Sequence, residues 1–132
     1  MLVLALTCGC RPAVAAAEED PARVAQVFYD GYIKLLNANG DGGRSVMKSD
    51  QFTPGFKKAY KAYMKDADSD PIVQGQDYPK SGFKASAAKV NGASATVTMA
   101  SRDPSFKYSI KVTLVKNGEH WLISGIGDLQ TK

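Results

Sequence analysis

The sequence predicts an α+β fold in which two N-terminal helices pack on a curved four-stranded antiparallel meander. Apolar residues recur with a helical period in the first half of the chain and alternate with polar residues in the second half. Asn91-Gly92 and Asn117-Gly118 lie between alternating segments, where such pairs favour tight hairpins. At 132 residues the chain has the length of one domain, so the change of period indicates helices and a sheet around one core.

The first predicted helix covers about residues 21–38. Asp20 is a favourable N-cap, and Pro21 suits the first helical position. The glycine-rich run 39–43 ends the helix and contains no phosphate-loop lysine. The apolar residues at helical spacing, expected on the buried face, are Val24, Val27, Phe28, Tyr32, Leu35 and Leu36.

The second predicted helix begins with the same pattern, Thr53-Pro54, and a short helical turn is expected before it at residues 45–49. Its several lysines favour a solvated face over an anion site, because like charges on one helix repel each other. The residues expected on its buried face are Phe56, Ala59, Tyr60, Tyr63 and Met64.

Four strands are predicted, the first beginning near Phe83 and the others over residues 93–99, 106–114 and 121–126. Consecutive strands joined by tight turns pair as an antiparallel meander, whose apolar face needs the two helices as a cover. We expect Trp121 in the core, and the alternation along the strand then turns His120 towards solvent.

The N-terminus has the pattern of an export leader. Residues 1–6 are apolar, an alanine-rich stretch follows at 13–17, and the acidic Glu18-Glu19-Asp20 comes next. The apolar run is short and no basic residue precedes it, which a start codon assigned too far downstream would explain. A transmembrane helix fits less well, because far fewer than ~18 apolar residues are consecutive. We expect a signal peptide or lipoprotein leader at 1–17, a single domain at 18–132, and a periplasmic or secreted protein.

Both cysteines, Cys8 and Cys10, lie in this leader, so a chain cleaved after Ala17 has no thiol or disulfide chemistry. Thr7-Cys8-Gly9-Cys10 also looks like a degenerate bacterial lipoprotein box, with Thr7 where leucine is usual. Lipidation of Cys10 is therefore the alternative, and it would anchor the domain to an envelope membrane through lipid chains alone.

Composition argues against several classes of function. The net charge of +4 is modest, the lysines are interspersed with acids, and no base-stacking motif accompanies them, so we expect no nucleic-acid partner. With one histidine and no cysteine in the mature chain, zinc and nucleophilic chemistry lack their residues, and we expect no cofactor.

Three short motifs resemble the bacterial domain-of-unknown-function 3828 family, within the nuclear-transport-factor-2-like cone fold. They are Phe28-Tyr29-x-x-Tyr32, Thr53-Pro54-x-Phe56 and Asp70-Pro71-Ile72-x-x-Gly75-Gln76-Asp77-Tyr78. The resemblance covers about residues 21–129. It implies a curved sheet around a helix-lined pocket, in proteins that are mostly exported or lipid-anchored, and it implies no catalytic set.

The resemblance places Asp77 at the mouth of that pocket, and we expect Tyr29, Tyr32, Asp77 and Tyr78 to line it. Enzymes on the cone fold often use a pocket aspartate as a general base, as in the ketosteroid isomerase that is a standard example of pKa tuning. Asp77 with a tyrosine hydroxyl is thus the candidate for catalysis. The simpler interpretation of the tyrosines is that they are core aromatics whose hydroxyls reach the pocket rim.

A second acidic pattern, Asp66-x-Asp68-x-Asp70, has the alternation of the first ligands of a calcium loop. The sixth position of such a loop needs a glycine with positive φ, and here it is Pro71, which cannot adopt that conformation. We therefore expect an acidic connecting loop and no metal site.

These observations leave three hypotheses for an exported envelope protein of unknown role. The first is a non-catalytic domain that binds a small ligand or an envelope protein. The second is an isomerase- or dehydratase-like enzyme that uses a pocket aspartate and a tyrosine. The third is an inhibitor or immunity-type protein, which requires a large exposed patch outside the pocket.

A chain that begins at Glu18 should be as stable as the full chain, because the leader has no periodic match to either helix and Pro12 interrupts it. Chemical denaturation of the two chains measures this. A loss above ~1 kcal/mol on removal of residues 1–17 would show that the leader packs on the core and would argue against export.

Overall fold

A computed structural model describes residues 19–131, which form an α+β domain; the expected leader and its candidate lipidation site, Cys10, lie outside the described residues. The helices are α1 (Pro21–Asn37), α2 (Gly42–Lys48) and α3 (Pro54–Met64). The strands are β1 (Phe83–Ala85), β2 (Lys89–Asn91), β3 (Ser94–Ser101), β4 (Ser109–Asn117), β5 (His120–Ile126) and β6 (Leu129–Gln130). No helix within residues 19–131 is long and apolar enough to span a bilayer.

Helix α1 begins and ends close to the predicted residues. The Asp20 carboxylate accepts a hydrogen bond from the Ala22 N–H at 3.0 Å, and Pro21 occupies the first turn. The predicted buried face was partly wrong, since Val27 is 49% exposed. The face that packs on the sheet is rotated about the helix axis relative to the predicted face. Its buried residues include Val24, Ala25, Phe28, Tyr29, Tyr32 and Ile33.

The predicted pair of helices is three helices within residues 19–131. The helical turn expected at residues 45–49 is the helix α2, because Asp41 caps it by accepting from the Arg44 N–H at 3.0 Å and because Val46 is fully buried. Helix α3 starts as predicted, after its Thr53 cap. Tyr63 and Met64 were expected inside, but they are exposed because Phe56 and Tyr60 alone carry the buried face of this helix.

The sheet is antiparallel, with the order β1-β3-β4-β5-β6. Strand β2 also pairs with β3, on the same side as β1 but at the other end of β3. The predicted count of four strands was wrong for residues 19–131, where six are found. The first predicted strand is interrupted because the Ser86 hydroxyl, rather than a carbonyl, accepts the Thr98 N–H at 3.0 Å. The two-residue β6 was missed because so short a segment has no detectable period.

The hairpins form where the two Asn-Gly pairs predicted them. In each, the asparagine is a paired strand residue and the glycine is the first loop residue, with φ of 63° at Gly92 and 66° at Gly118. A single positive φ at that position is the requirement of a type II′ turn, so glycine alone supplies the unusual backbone.

The inner face of the sheet confirms the predicted alternation. Its buried residues on β3, β4 and β5 include Ala95, Val97, Met99, Ile110, Val112, Leu114, Trp121, Ile123 and Ile126. Phe28 on α1 packs edge to face on Phe52, with ring centres 4.8 Å apart. Phe52 in turn stacks on Phe56 of α3 at 4.9 Å, so aromatic contacts tie the two longer helices together.

Side chains that precede the sheet in the chain bind backbone groups at both edges of the sheet. At one edge the Gln26 amide accepts from the Ala85 N–H at 2.7 Å and donates to the Phe83 carbonyl at 2.8 Å. At the other edge the Glu19 carboxylate accepts from the Trp121 N–H at 2.7 Å. The Gln51 carbonyl accepts from the next outward N–H of β5, that of Ile123, at 2.7 Å.

Trp121→Ala should destabilise the domain by about 3–5 kcal/mol, because Trp121 is 6% exposed within the core and its removal leaves a large cavity. Equilibrium denaturation of the two proteins measures the difference. A blue-shifted native emission of this single tryptophan is the corresponding observation for the unmutated chain. Emission at the wavelength of free tryptophan would contradict the assignment.

Candidate functional site

The candidate site is built on a short loop between α3 and β1. Asp70 and Gly75 exchange two backbone hydrogen bonds of 3.1 Å, which close the loop. Inside it Pro71, Ile72 and Val73 are buried, and Ile72 and Val73 are 0% and 2% exposed. The loop therefore contributes apolar side chains to the core, although it belongs to no helix or strand of the sheet.

Three tyrosine hydroxyls hold this loop. Tyr29 donates to the Ile72 carbonyl at 2.7 Å, and Tyr108 donates to the Val73 carbonyl at 2.6 Å. Buried carbonyls need such partners, because an unsatisfied one costs about 1–3 kcal/mol. The third hydroxyl, from Tyr32, donates to the Asp70 carboxylate at 2.5 Å.

The Asp70 carboxylate is half-buried, and each of its oxygens accepts a hydrogen bond. Oδ2 accepts from Tyr32, and Oδ1 accepts from the Ile72 N–H at 2.8 Å. Burial raises the pKa of Asp70 above its usual value, and the bonds from Tyr32 and from the loop backbone oppose this effect. Burial and the neighbouring Asp70 likewise raise the pKa of Tyr32, so its hydroxyl stays protonated.

Tyr32 and Asp70 lie at the base of an open cleft of about 510 Å³ between α1, α2, α3 and the loop. Tyr60 also lines it, and burial, followed by the charges of Asp70 and Asp41, raises its pKa to about 12. Gly42 allows α2 to close over this base, because a Cβ there would overlap the Tyr32 hydroxyl. The remaining lining includes the apolar side chains Leu36, Met64 and Ala67 and the polar ones Asp68, Ser69 and Gln76.

The structure separates the four residues predicted to line one pocket. Tyr32 lines the cleft, whereas Tyr29 is fully buried beneath the loop. Tyr78 donates to the Asn37 side chain at 2.9 Å at the surface. Asp77 is exposed and accepts from the N–H of Tyr78 at 2.8 Å, so the expected pair of Asp77 and Tyr32 is not formed.

The carboxylate that meets a tyrosine is Asp70, which sequence reasoning treated as part of an acidic connecting loop. Its hydroxyl partner is 38 residues away in the chain, so no local spacing indicates the pair. Tyr60 is a core residue, as predicted. It also lines the cleft, because Gly42 and Gly43 of α2 form another part of the same lining. The Asp-Pro dipeptide at residues 70–71 was the available signal, since aspartate before such a turn often caps its backbone.

The other candidates for chemistry lie apart from the cleft or on its rim. His120 has a side chain 76% exposed, which confirms the outward orientation predicted for it. Asp66 and Asp68 are exposed, and no group of three or more potential ligands within residues 19–131 is placed to hold a metal ion.

Comparison of the chain with protein-family models, with curated proteins and with solved structures gives no match in any of the three. The resemblance to the cone fold and to the domain-of-unknown-function 3828 family therefore stays a prediction.

Asp70→Asn should preserve the fold, because an asparagine Oδ1 can accept from Ile72 while its amide donates to Tyr32. A raised native pKa means that the folded protein binds the Asp70 proton more tightly than the unfolded chain does. The unmutated protein thus gains stability as the pH falls towards the ordinary carboxyl value of about 3.9. The variant should equal or exceed it in melting temperature at pH 7 and lose that advantage towards pH 4.

Thermal denaturation between pH 4 and 7 measures this, with Glu119→Gln as the control for removing an exposed carboxylate. A variant less stable than the unmutated protein at pH 7 would show that the hydrogen bonds of the carboxylate outweigh the cost of its burial.

Proposed function

We propose that the chain is an exported envelope protein whose domain binds a small ligand, without catalysis, in the cleft above Tyr32 and Asp70. The observation that carries this proposal is a half-buried, hydrogen-bonded carboxylate at the base of an open cleft of about 510 Å³. Clefts of this size, with apolar walls and a few fixed polar groups, are typical small-molecule sites.

The arrangement favours binding because two of its polar groups, Tyr32 and Asp70, are fixed before any ligand arrives. Tyr32 is oriented by Asp70, and Asp70 is oriented by the closed loop. Tyr60, the other tyrosine in the cleft, has no hydrogen-bond partner for its hydroxyl within residues 19–131. Fixed partners reduce the entropy that binding has to overcome.

One observation favours an isomerase- or dehydratase-like enzyme as a second candidate. A carboxylate with a raised pKa beside a tyrosine hydroxyl is a recurring acid–base arrangement, and here Asp70 takes the place expected for Asp77. Against catalysis, both oxygens of Asp70 already accept bonds that hold the loop and Tyr32. A proton acceptor committed to the fold is a poor general base, so we place binding first.

Residues 1–17 support export to the periplasm or beyond, with lipidation of Cys10 as the alternative route to the envelope. The order of helices followed by an antiparallel sheet is compatible with the nuclear-transport-factor-2-like cone, and we propose membership of that class. That the domain binds an envelope protein, or inhibits one, stays a prediction.

Gly43→Leu should block the cleft, because Gly43 lines it beside Tyr60 and a Cβ there meets the Tyr60 hydroxyl at an ordinary 3.5 Å. A fragment library of mixed charge, screened by ¹H–¹⁵N chemical-shift mapping, should give binders that perturb the cleft residues. Gly43→Leu should weaken these binders about tenfold or more.

Gly31→Leu is the matched control, since it places the same side chain on α1 where nothing lies within 4 Å of the new Cβ. It should leave the affinities unchanged. Binders that cluster away from the cleft, or that bind Gly43→Leu normally, would refute a ligand site above Tyr32 and Asp70.

A further inference from the structure

The cleft above Tyr32 and Asp70 carries a charge opposite to that of the whole protein. The chain has a net charge of +4, yet the charged residues among the described lining of the cleft are Asp68 and Asp70. Basic side chains outnumber the one carboxylate, that of Asp41, in a neighbouring groove of about 510 Å³ that shares Tyr60 and Met64 with the cleft. Those basic residues are Arg44, Lys61 and Lys65.

The field of the carboxylates reaches the hydroxyl group in the cleft. Asp70 and Asp41 both add to the effect of burial in raising the pKa of Tyr60. A negative local potential of this kind attracts a cationic ligand and repels an anionic one.

The oxygen atoms of Asp70, Asp68, Tyr32 and Tyr60 can all accept hydrogen bonds in the cleft. Each carboxylate oxygen of Asp70 accepts one protein hydrogen bond and retains further acceptor capacity. The Tyr60 hydroxyl oxygen is an additional acceptor, and the exposed Asp68 carboxylate stands at the rim. Tyr32 has its proton committed to Asp70, so it also presents its oxygen as an acceptor. Such a set complements a group that only donates, which an ammonium ion does.

The walls of the cleft favour an organic cation over a metal ion. Calcium takes six to eight oxygen ligands, whereas Leu36, Met64 and Ala67 present carbon and sulfur atoms to the cleft. Met64 is 38% exposed there, so its thioether surface is accessible to a ligand. An ammonium group at Asp70 would leave its attached apolar body in contact with these three side chains.

We infer that the cleft above Tyr32 and Asp70 binds an organic ammonium ion, a protonated amine with an apolar body. The ammonium donates to the Asp70 carboxylate and to the Tyr60 hydroxyl oxygen, and the apolar body lies on Leu36 and Met64. This inference rests on the proposed function and specifies the chemical class of its ligand.

The test uses four probes that share a phenyl ring and differ in the group at the end of the chain. Phenethylammonium has charge and donors, and N,N,N-trimethylphenethylammonium has charge without donors. Phenethyl alcohol is neutral, and 3-phenylpropanoate is anionic. Each is titrated at pH 7 into the full chain, with affinity and location read from the ¹H–¹⁵N and side-chain NMR signals of the cleft residues.

We expect phenethylammonium to bind in the cleft about tenfold or more tightly than phenethyl alcohol, because hydrogen bonds to charged groups are worth more than neutral ones. The trimethylated cation should bind between these two, and 3-phenylpropanoate should leave the cleft signals unperturbed. Asp70→Asn should remove the preference for the amine over the alcohol, and Asp68→Asn should reduce it. Glu119→Gln, outside the cleft, should leave it unchanged.

The outcomes separate this inference from the proposed function. If the alcohol or the propanoate perturbs the cleft as strongly as the amine does, the cleft binds ligands and the ammonium class is wrong. If the four probes leave the cleft unperturbed while other fragments bind there and are blocked by Gly43→Leu, the ammonium inference again fails alone. If neither probes nor fragments bind in the cleft, both proposals fail. Shifts confined to Arg44, Lys61 and Lys65 with 3-phenylpropanoate would place anions in the neighbouring groove and support the separation of charge.

Discussion

The loop from Asp70 to Gly75 carries buried backbone carbonyls into the interior of the protein, and tyrosine hydroxyls satisfy them. Tyr29 belongs to α1, whereas Tyr108 precedes β4, so the loop links the first helix to the segment that enters the sheet. Tyr32 extends the same arrangement to the Asp70 side chain. Because burial of Ile72 and Val73 brings their carbonyls out of water, each of these carbonyls would cost about 1–3 kcal/mol without its bond. The position of the carboxylate at the base of the cleft follows from the same constraint.

Much of the architecture could be predicted from local patterns in the sequence. The two longer helices begin at residues where a capping side chain precedes a proline, and the alternation along β3 and β4 identified their buried faces. These features depend on neighbouring residues, so a short window of sequence contains the necessary information. The interruption at Ser86 and the rotation of the buried face away from Val27 depend on partners far along the chain, and no short window shows them.

The candidate site illustrates the same distinction. Acidic residues and tyrosines were expected to meet, yet the chain offers several aspartates within a few positions of Asp70. Which of them faces a tyrosine is decided by where the loop closes, through the bonds between Asp70 and Gly75. Asp77 lies beyond that closure and caps a surface turn instead. The sequence therefore predicts that aspartates and tyrosines form the site. Which aspartate pairs with a tyrosine depends on the three-dimensional path of the loop.

The hydrogen bonds that Gln26 and Glu19 make at the sheet edges have a consequence for the self-association of this protein. An unpaired strand edge is a template on which another molecule can add a strand. A strand that adds at β1 or at the outer N–H of Trp121 must displace a side chain tethered to the same molecule, which competes at the high effective concentration that a short connection provides. The exposed strand β2 has no such cover among residues 19–131. Both residues precede every strand of the sheet in the chain, so they are synthesised before any of those strands. At these two places one amide and one carboxylate of the same molecule therefore compete with strand addition by another copy.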